Sequence, residues 1–170
     1  TCIARPDIRF RRERWHTPDA DFIDVDFVDG TPGKPFVVLF HGLEGSSDSH
    51  YSRALMAEIT RRGWSGAVPH FRGCSGEPNL APRFYHSGDS GELDWIIRRL
   101  HPHATGKFYA CGVSLGGNVL LRWLGESQHQ AEFVDAACAV SAPLDLAQGG
   151  SALSRGLSRL YTRMFLQTLK

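Results

Sequence analysis

The chain has 170 residues, of which 42% are hydrophobic, and its formal net charge is +1. An apolar share of this size is typical of a single globular domain and excludes a disordered chain, while a charge near zero gives no electrostatic reason to expect nucleic acid as a partner. No run of about 18 apolar residues occurs, so no transmembrane helix is expected.

The N-terminal part of the chain predicts a basic segment followed by one strand. Five arginines lie in the basic segment: Arg5, Arg9, Arg11, Arg12 and Arg14. They allow a basic arm for a membrane or nucleic acid, but a solvated edge segment partly neutralised by Asp7 and Glu13 is the simpler interpretation. Residues 22–28 alternate apolar and acidic side chains, which predicts a half-exposed antiparallel strand.

Residues 36–69 predict a strand, a loop, a helix and a second strand, in that order. The continuous apolar run at 36–40 is typical of a strand buried on both faces, and the loop HGLEG (41–45) follows it. Residues 46–48, Ser-Ser-Asp, are interpreted as the N-cap of the helix. Apolar residues at helical spacing then extend to residue 59, and residues 64–69 predict the second strand.

The second half of the chain continues the alternation of helices and strands. Apolar residues at 93–100 form a helical stripe that a proline stops, and apolar runs at 107–111 and 133–140 predict buried strands. A further helix is predicted from 118 to about 126. Strands that alternate with helices predict a parallel sheet covered by helices, which is an α/β fold.

A five-residue motif stands between the strand at 107–111 and the helix that follows. It reads Gly112-Val113-Ser114-Leu115-Gly116, a G-x-S-x-G pattern. In a nucleophile elbow this pattern forms a strained turn from strand to helix that projects the serine hydroxyl above the sheet, so small residues must flank the serine. The alternative is a glycine-rich turn with an incidental serine. The strand before the motif and the helix after it favour the catalytic interpretation.

Five segments together resemble one protein family. They are HGLEGSSDSHY (41–51), HFRGCSGEPN (70–79), YHSGDSGELDW (85–95), GVSLGGN (112–118) and SAPLDL (141–146). In order and spacing they are similar to the α/β-hydrolase subfamily of YheT-type hydrolases and abhydrolase-domain proteins, the AB hydrolase-4 family of esterases. The resemblance implies an α/β-hydrolase fold, a mostly parallel sheet with helices on both faces. The chain departs from the family pattern at His70, where asparagine is usual, and at residues 87–91, and both departures bear on substrate fit.

The resemblance also implies a site for acyl chemistry. Ser114 would be the nucleophile, and the backbone N–H groups of Leu43 and Leu115 would form the oxyanion hole. The residues expected to support this site are His41, which holds its loop by a side-chain hydrogen bond, and Gly42, Gly112 and Gly116. The implied reaction is hydrolysis of carboxylic esters with short- to medium-length acyl chains through an acyl-enzyme. No cofactor or metal is expected, since no dinucleotide, P-loop or metal-ligand spacing occurs.

A catalytic triad also needs a histidine base and a carboxylate. His129 lies about 20 Å along the chain from the serine if the helix continues, and His70 and His86 are expected on the wrong side of the sheet. Asp145 is interpreted as a turn or helix-cap residue. The acid and the base of the triad are therefore expected beyond Lys170, and the 170 residues alone are expected to be nearly inactive.

Two parts of the chain are expected on the same reasoning. Residues 1–143 are predicted to be the N-terminal part of a hydrolase core that is incomplete at its C-terminal strands, and residues 144–170 the start of a lid or cap. Residues 151–170 have the pattern of an amphipathic helix with a basic face. Such a helix can lie on a membrane or form the first part of the lid, and the lid is the favoured interpretation.

Two other functions stay open on the sequence. Acyl transfer to an alcohol uses the same acyl-enzyme, and the shape and dryness of the lid choose the acceptor. A non-catalytic binding scaffold would also fit a chain without its base. The expected partner is a small-molecule ester or lipid-like substrate, with no nucleic acid. Membrane association stays open but is not indicated, and the sequence does not give the oligomeric state. Four cysteines without zinc spacing favour a reduced, cytoplasmic setting.

Overall fold

The computed structural model of the protein describes residues 6–145. Its strands in this range are β1 (Arg11–His16), β2 (Phe22–Val28), β3 (Phe36–Phe40), β4 (Ser65–Pro69), β5 (Phe108–Val113) and β6 (Ala136–Val140). Its α-helices in the same range are α1 (His50–Arg61), α2 (Ser90–Leu100) and α3 (Leu115–Ser127). The predicted alternation of strands and helices is confirmed, and the bounds differ from the expected ones by a few residues.

One sheet joins the six strands of the described range in the order β1-β2-β4-β3-β5-β6. The pairs β4–β3, β3–β5 and β5–β6 are parallel, whereas β1–β2 and β2–β4 are antiparallel. The predicted α/β class with a mostly parallel sheet is therefore confirmed. Since the carboxyl ends of parallel strands meet at one edge, the loops after β3, β4 and β5 lie at the same edge of this sheet.

Helices cover both faces of the sheet, and β3 shows how the sequence builds the two layers. Phe36, Val38 and Phe40 join the core formed with α2 and α3. Val37 and Leu39 point the other way and join the core formed with α1. Successive side chains of a strand alternate between faces, so a continuous apolar run is what a strand between two helical layers requires.

The prediction for β2 is right in its pairing and wrong in its exposure. All seven residues of β2 are buried, including Asp24 and Asp26. The two aspartates face the arginines of β1 in register, because Arg14 lies opposite Asp24 and Arg12 opposite Asp26. Each arginine binds its aspartate through two nitrogens at 2.7–2.8 Å. A buried carboxylate is tolerated when it is paired and hydrogen-bonded in this way.

Residues 11–16 of the basic segment form a strand at the edge of the described sheet, in agreement with the simpler interpretation, but the neutralising partners differ. Asp24, Asp26 and Asp29 accept hydrogen bonds from it, in addition to the expected Glu13. Arg14 also forms a salt bridge with Glu77 at 2.6 Å. The three arginines of this strand are therefore paired with carboxylates of the same chain.

Two further expectations are corrected. The strand predicted as buried at 133–140 is shorter, and β6 is mostly exposed because it is the last strand of the sheet within residues 6–145. Cys138, expected inside a buried strand, is therefore exposed, while Cys111 on β5 is half-buried. Helix α1 is preceded by Ser49, whose side chain makes no capping hydrogen bond. The expected cap residue Ser47 instead donates its hydroxyl to Asp26.

No helix within residues 6–145 combines the length and apolar character needed to cross a bilayer. The amphipathic helix predicted at 151–170, and with it the proposed lid, lies outside the described residues. The division of the chain at residue 143 stays a prediction.

Candidate active site

Ser114 stands alone between the last residue of β5 and the first residue of α3. Its backbone has φ 52° and ψ −115°, a region that a residue with a side chain occupies only under strain. Its N–H donates to the carbonyl oxygen of Val140 on β6 at 2.8 Å, which ties the strained residue to the sheet. The strand-to-helix turn expected from the G-x-S-x-G pattern is therefore present.

Glycines flank this turn because there is no room for side chains. A methyl group on Gly112 would lie 2.5 Å from the carbonyl oxygen of Gly116. A methyl group on Gly116 would lie 2.6 Å from the carbonyl carbon of Phe40, at the end of β3. A methyl group on Gly42 would lie 3.3 Å from the Ser114 Cβ, so the loop after β3 runs directly beside the serine. The absence of side chains at these glycines therefore allows the 41–45 loop to lie beside Ser114.

Two tyrosine hydroxyls hold the 41–45 loop. The Gly42 N–H donates to the Tyr51 hydroxyl at 2.9 Å, and the Glu44 N–H donates to the Tyr85 hydroxyl at 2.8 Å. Between them, the Leu43 N–H donates to no protein group within residues 6–145, and neither does the Leu115 N–H at the start of α3. An oxyanion hole needs backbone N–H groups that are left available for the substrate, and within residues 6–145 these two are available. That they form the oxyanion hole stays a prediction.

His41 is a buried structural residue. Its Nε2 accepts the Phe71 N–H at 3.0 Å, so the proton is on Nδ1, which donates to the Gly42 carbonyl oxygen at 2.7 Å. Burial lowers the pKa of His41 to about 4, so the ring is neutral at pH 7. Through these two hydrogen bonds His41 joins the loop after β3 to the loop after β4. Its role in supporting a catalytic site stays a prediction.

The lowered pKa of His41 predicts a loss of stability in mild acid. Its unfolded pKa is about 6.5, so the unfolded chain binds a proton that the folded protein excludes, and stability falls as the pH drops from 6.5 towards 4. We expect the full gene product to lose about 3 kcal/mol of unfolding free energy over this range from this residue. Urea unfolding at a series of pH values measures it.

The control for this prediction is His41→Gln, whose amide oxygen can still accept the Phe71 N–H but does not titrate. The variant should be less stable at pH 7, and its unfolding free energy should change less between pH 6.5 and 4. Burial raises the pKa of Glu92, but that carboxyl is the same in both proteins and its contribution cancels in the comparison. Equal losses in the two proteins would contradict the assignment.

No histidine within residues 6–145 hydrogen-bonds the Ser114 hydroxyl, and all eight histidines of the chain lie in this range. His70 binds Asp26 through Nε2 at 2.9 Å and the Cys74 carbonyl through Nδ1 at 3.1 Å. The Nδ1 atom of His86 accepts the Gly88 N–H at 3.0 Å. The expectation that the base lies beyond residue 170 therefore stays open.

The two departures from the family pattern have structural roles here. From its position His70 is expected to affect substrate fit. It is instead buried in the loop after β4, where it holds that loop. In the 87–91 stretch, Asp89 caps α2 by accepting the Glu92 N–H, and Arg83 binds its carboxylate at 2.8 Å. Asp145 follows a segment that Asn118 holds through the Pro143 carbonyl at 2.8 Å, and its interpretation as a turn residue stays a prediction.

A buried cluster around Asp26 is a supporting feature that the sequence did not reveal. Its carboxylate accepts hydrogen bonds from Arg12, Ser47 and His70. Burial alone would raise the pKa of Asp26, but these donors hold it well below its usual range. The cluster connects the loop before α1 with the loop after β4. The only available signal was an aspartate at alternate strand positions opposite an arginine-rich strand.

No group of three or more histidine, cysteine, aspartate or glutamate side chains in the described part of the chain is arranged to hold a metal ion.

A family model described as the alpha/beta hydrolase fold matches residues 35–165. "Putative esterase YheT" of Escherichia coli (strain K12) is 43% identical over 164 residues, which are 93% of this chain and 47% of that protein. A monoacylglycerol lipase of Saccharomyces cerevisiae is 30% identical over 138 residues, which are 80% of this chain and 29% of that protein.

Among solved structures, the Pyrococcus furiosus esterase Pf2001 superposes with a TM-score of 0.71 at 20% identity, over 92% of this chain and 60% of that one. At this identity the superposition supports the fold alone. The chain spans less than half the length of the two curated relatives it matches. The family match covers most of the chain, and the sheet order and the strand–serine–helix turn agree with it. The chain belongs to the α/β-hydrolase family, and a YheT-type protein is among its relatives.

Proposed function

We propose that this chain carries the nucleophile and oxyanion hole of a serine hydrolase that acts on carboxylic esters. The observation that carries the proposal is the strained Ser114 turn, at φ 52°, with Gly42 of the 41–45 loop against its Cβ. A conformation of this kind persists only where the surrounding structure enforces it, and such residues concentrate at active sites. Relatives that are named as an esterase and a lipase support ester hydrolysis in general.

The reaction divides into two acyl transfers. The Ser114 Oγ attacks the ester carbonyl carbon while a general base takes its proton, and the carbonyl electrons move to the oxygen, which the Leu43 and Leu115 N–H groups stabilise. Collapse of this intermediate expels the alcohol, which takes up the proton, and leaves an acyl-serine. Water then attacks the acyl-serine by the same route and releases the carboxylic acid. We place the base and its carboxylate partner beyond Lys170.

Relatives that are named as an esterase and a lipase support an ester substrate in general. We propose a small-molecule ester or a lipid-like ester with a short- to medium-length acyl chain. The mechanism uses no cofactor or metal, and the setting is proposed to be cytoplasmic. The same acyl-enzyme would transfer its acyl group if an alcohol replaced water, so product analysis with and without added ethanol separates the two reactions.

Labelling of the serine tests the proposal directly. A fluorophosphonate should modify the full gene product at one residue, because only an activated serine attacks phosphorus at a useful rate. Trypsin should release the modified site on peptide 108–122, in which Ser114 is the only serine. Denatured protein is the control and should not be labelled. Absence of the adduct from this peptide, in a protein that hydrolyses p-nitrophenyl esters, would contradict the proposal.

The proposed position of the base makes a separate prediction. If the base lies beyond Lys170, neither His86 nor His129 takes the proton of the serine. Replacing either one by asparagine should then leave kcat/KM for p-nitrophenyl butyrate within about threefold of the parent, a change of less than about 1 kcal/mol. By the same reasoning, the 170 residues alone should be nearly inactive. A loss of several hundredfold in either asparagine variant would place the base within this chain.

A further inference from the structure

Glu44 is held in an unusual conformation beside the proposed oxyanion donor. Its φ is 53°, which is left-handed backbone in a residue that is not glycine. Such a conformation costs about 1–3 kcal/mol and needs contacts that enforce it. Tyr85 supplies two, because its hydroxyl accepts the Glu44 N–H at 2.8 Å and donates to the Glu44 Oε1 at 2.8 Å. The Tyr85 hydroxyl therefore binds both the backbone N–H and the side-chain carboxylate of Glu44.

The phenol itself is rigidly placed. The Tyr85 ring stacks on Phe71 with centroids 5.2 Å apart and planes 8° apart. Phe71 is in turn fixed through its N–H to His41, which begins the 41–45 loop. Burial raises the pKa of the Tyr85 hydroxyl, so it stays protonated and keeps its donor role towards the Glu44 carboxylate. The contacts thus run from the start of the loop, through Phe71 and Tyr85, back to its fourth residue.

Leu43 lies between two anchored peptide groups. Tyr51 takes the N–H of the residue before it and Tyr85 takes the N–H of the residue after it. The Leu43 N–H is left without a protein acceptor within residues 6–145. The carbonyl oxygen of the same peptide group, that of Gly42, accepts the Gly45 N–H at 2.9 Å. Contacts on this peptide group and on both of its neighbours restrict the direction of the Leu43 N–H before any substrate arrives, as preorganised stabilisation of an oxyanion requires.

We propose that Tyr85 is a positioning residue for oxyanion stabilisation, acting through its two hydrogen bonds to Glu44 on the direction of the Leu43 N–H. The inference rests on the proposed serine hydrolase function. Tyr85 touches no reacting atom in this mechanism. Its contribution should therefore appear in the turnover of bound ester and not in the affinity for ester.

The first test is Tyr85→Phe in the full gene product, which removes the hydroxyl and retains the ring on Phe71. Loss of one oxyanion donor costs about 10²–10³ in kcat, and a misdirected donor should cost less, so we expect kcat for p-nitrophenyl butyrate to fall about 10- to 100-fold with KM within about twofold. Tyr109→Phe is the matched control. Tyr109 lies on β5 beside Trp64, in the α1 layer, and its variant should keep the parental kcat.

A second pair of variants keeps the test decisive if Tyr85→Phe folds poorly. Glu44→Gln retains an oxygen that accepts from Tyr85, and Glu44→Ala does not. We expect the glutamine variant to keep kcat within about threefold and the alanine variant to lose a larger factor. A trifluoromethyl ketone adds to the serine and forms an oxyanion, so its inhibition constant should weaken in parallel with kcat/KM in Tyr85→Phe and Glu44→Ala.

The outcomes distinguish a failure of the Tyr85 positioning role from a failure of the hydrolase function. If Ser114→Ala abolishes activity while Tyr85→Phe and Glu44→Ala both keep the parental kcat and inhibition constant, the positioning role is wrong and the hydrolase function stands. If KM rises and kcat does not change, Tyr85 acts on binding and the inference is also wrong. If Ser114→Ala keeps full activity, the proposed function itself fails.

Discussion

Replacing Ser114 with alanine should lower kcat for p-nitrophenyl esters in the full gene product by about 10⁴- to 10⁶-fold, the range seen when a serine nucleophile is removed from an intact site. The alanine methyl group fits the same turn, so the oxyanion donors stay in place and a small rate above that in water should remain. KM should change little, because the hydroxyl adds little to ground-state binding.

Initial rates across an acyl series from acetate to decanoate measure this effect and define the acyl preference of the parent protein. Ser127→Ala, at the other end of α3, is the matched control and should keep the parental rates. Circular dichroism should show that both variants are folded. Turnover of the Ser114→Ala protein within tenfold of the parent would exclude this serine as the nucleophile.

The second large effect is expected on stability, from Gly116→Ala. The added methyl group would lie 2.6 Å from the Phe40 carbonyl carbon and closer still to the carbonyl oxygens of Phe40 and His41. These are backbone atoms of β3 and the following loop, so no side chain can rotate away and α3 must shift. We expect a loss of about 3 kcal/mol or more in unfolding free energy, the upper part of the range for overpacking.

Gly125→Ala is the control for that loss, because it makes the same change in the same helix. Nothing lies within 4 Å of the methyl group it would add. Alanine is a better helix former than glycine, so this variant should gain about 0.5–1 kcal/mol. Urea unfolding of the two variants should therefore give changes of opposite sign. Equal changes would mean that α3 does not approach β3 as closely as described.

Local sequence patterns predicted the helices and strands well where the pattern alone specifies which side chains are buried. The apolar run of β3 indicates burial on both faces, and the apolar stripe of α2 indicates one buried face, whatever lies opposite. The alternation in β2 did not specify exposure in the same way. An aspartate at every second position is compatible with water or with arginine, and the register with β1 that decides between them is not visible along the chain.

In the candidate site, too, features set by neighbouring residues were predictable, and features set by distant residues were not. The G-x-S-x-G spacing predicts the turn at Ser114, because the glycines that a tight turn requires are its immediate neighbours. The hydroxyls that hold the 41–45 loop come from Tyr51 on α1 and from Tyr85 in the loop before α2. Their hydrogen bonds depend on how separate loops meet at one edge of the sheet, and no spacing along the chain expresses that.

The paired charges of β1 and β2 also determine how the edge of the sheet is assembled. Glu13 lies opposite Val25 in the observed register. A slip of one residue in either direction would place Glu13 opposite Asp24 or Asp26 and would turn both arginines away from the buried carboxylates. In either slip Asp24 would face Glu13 or Trp15 in place of an arginine. A buried carboxylate that loses its cation is far costlier than a lost contact. The arginines of β1 therefore favour a single register between β1 and β2. Their charges also make this edge a poor template for a strand from another chain.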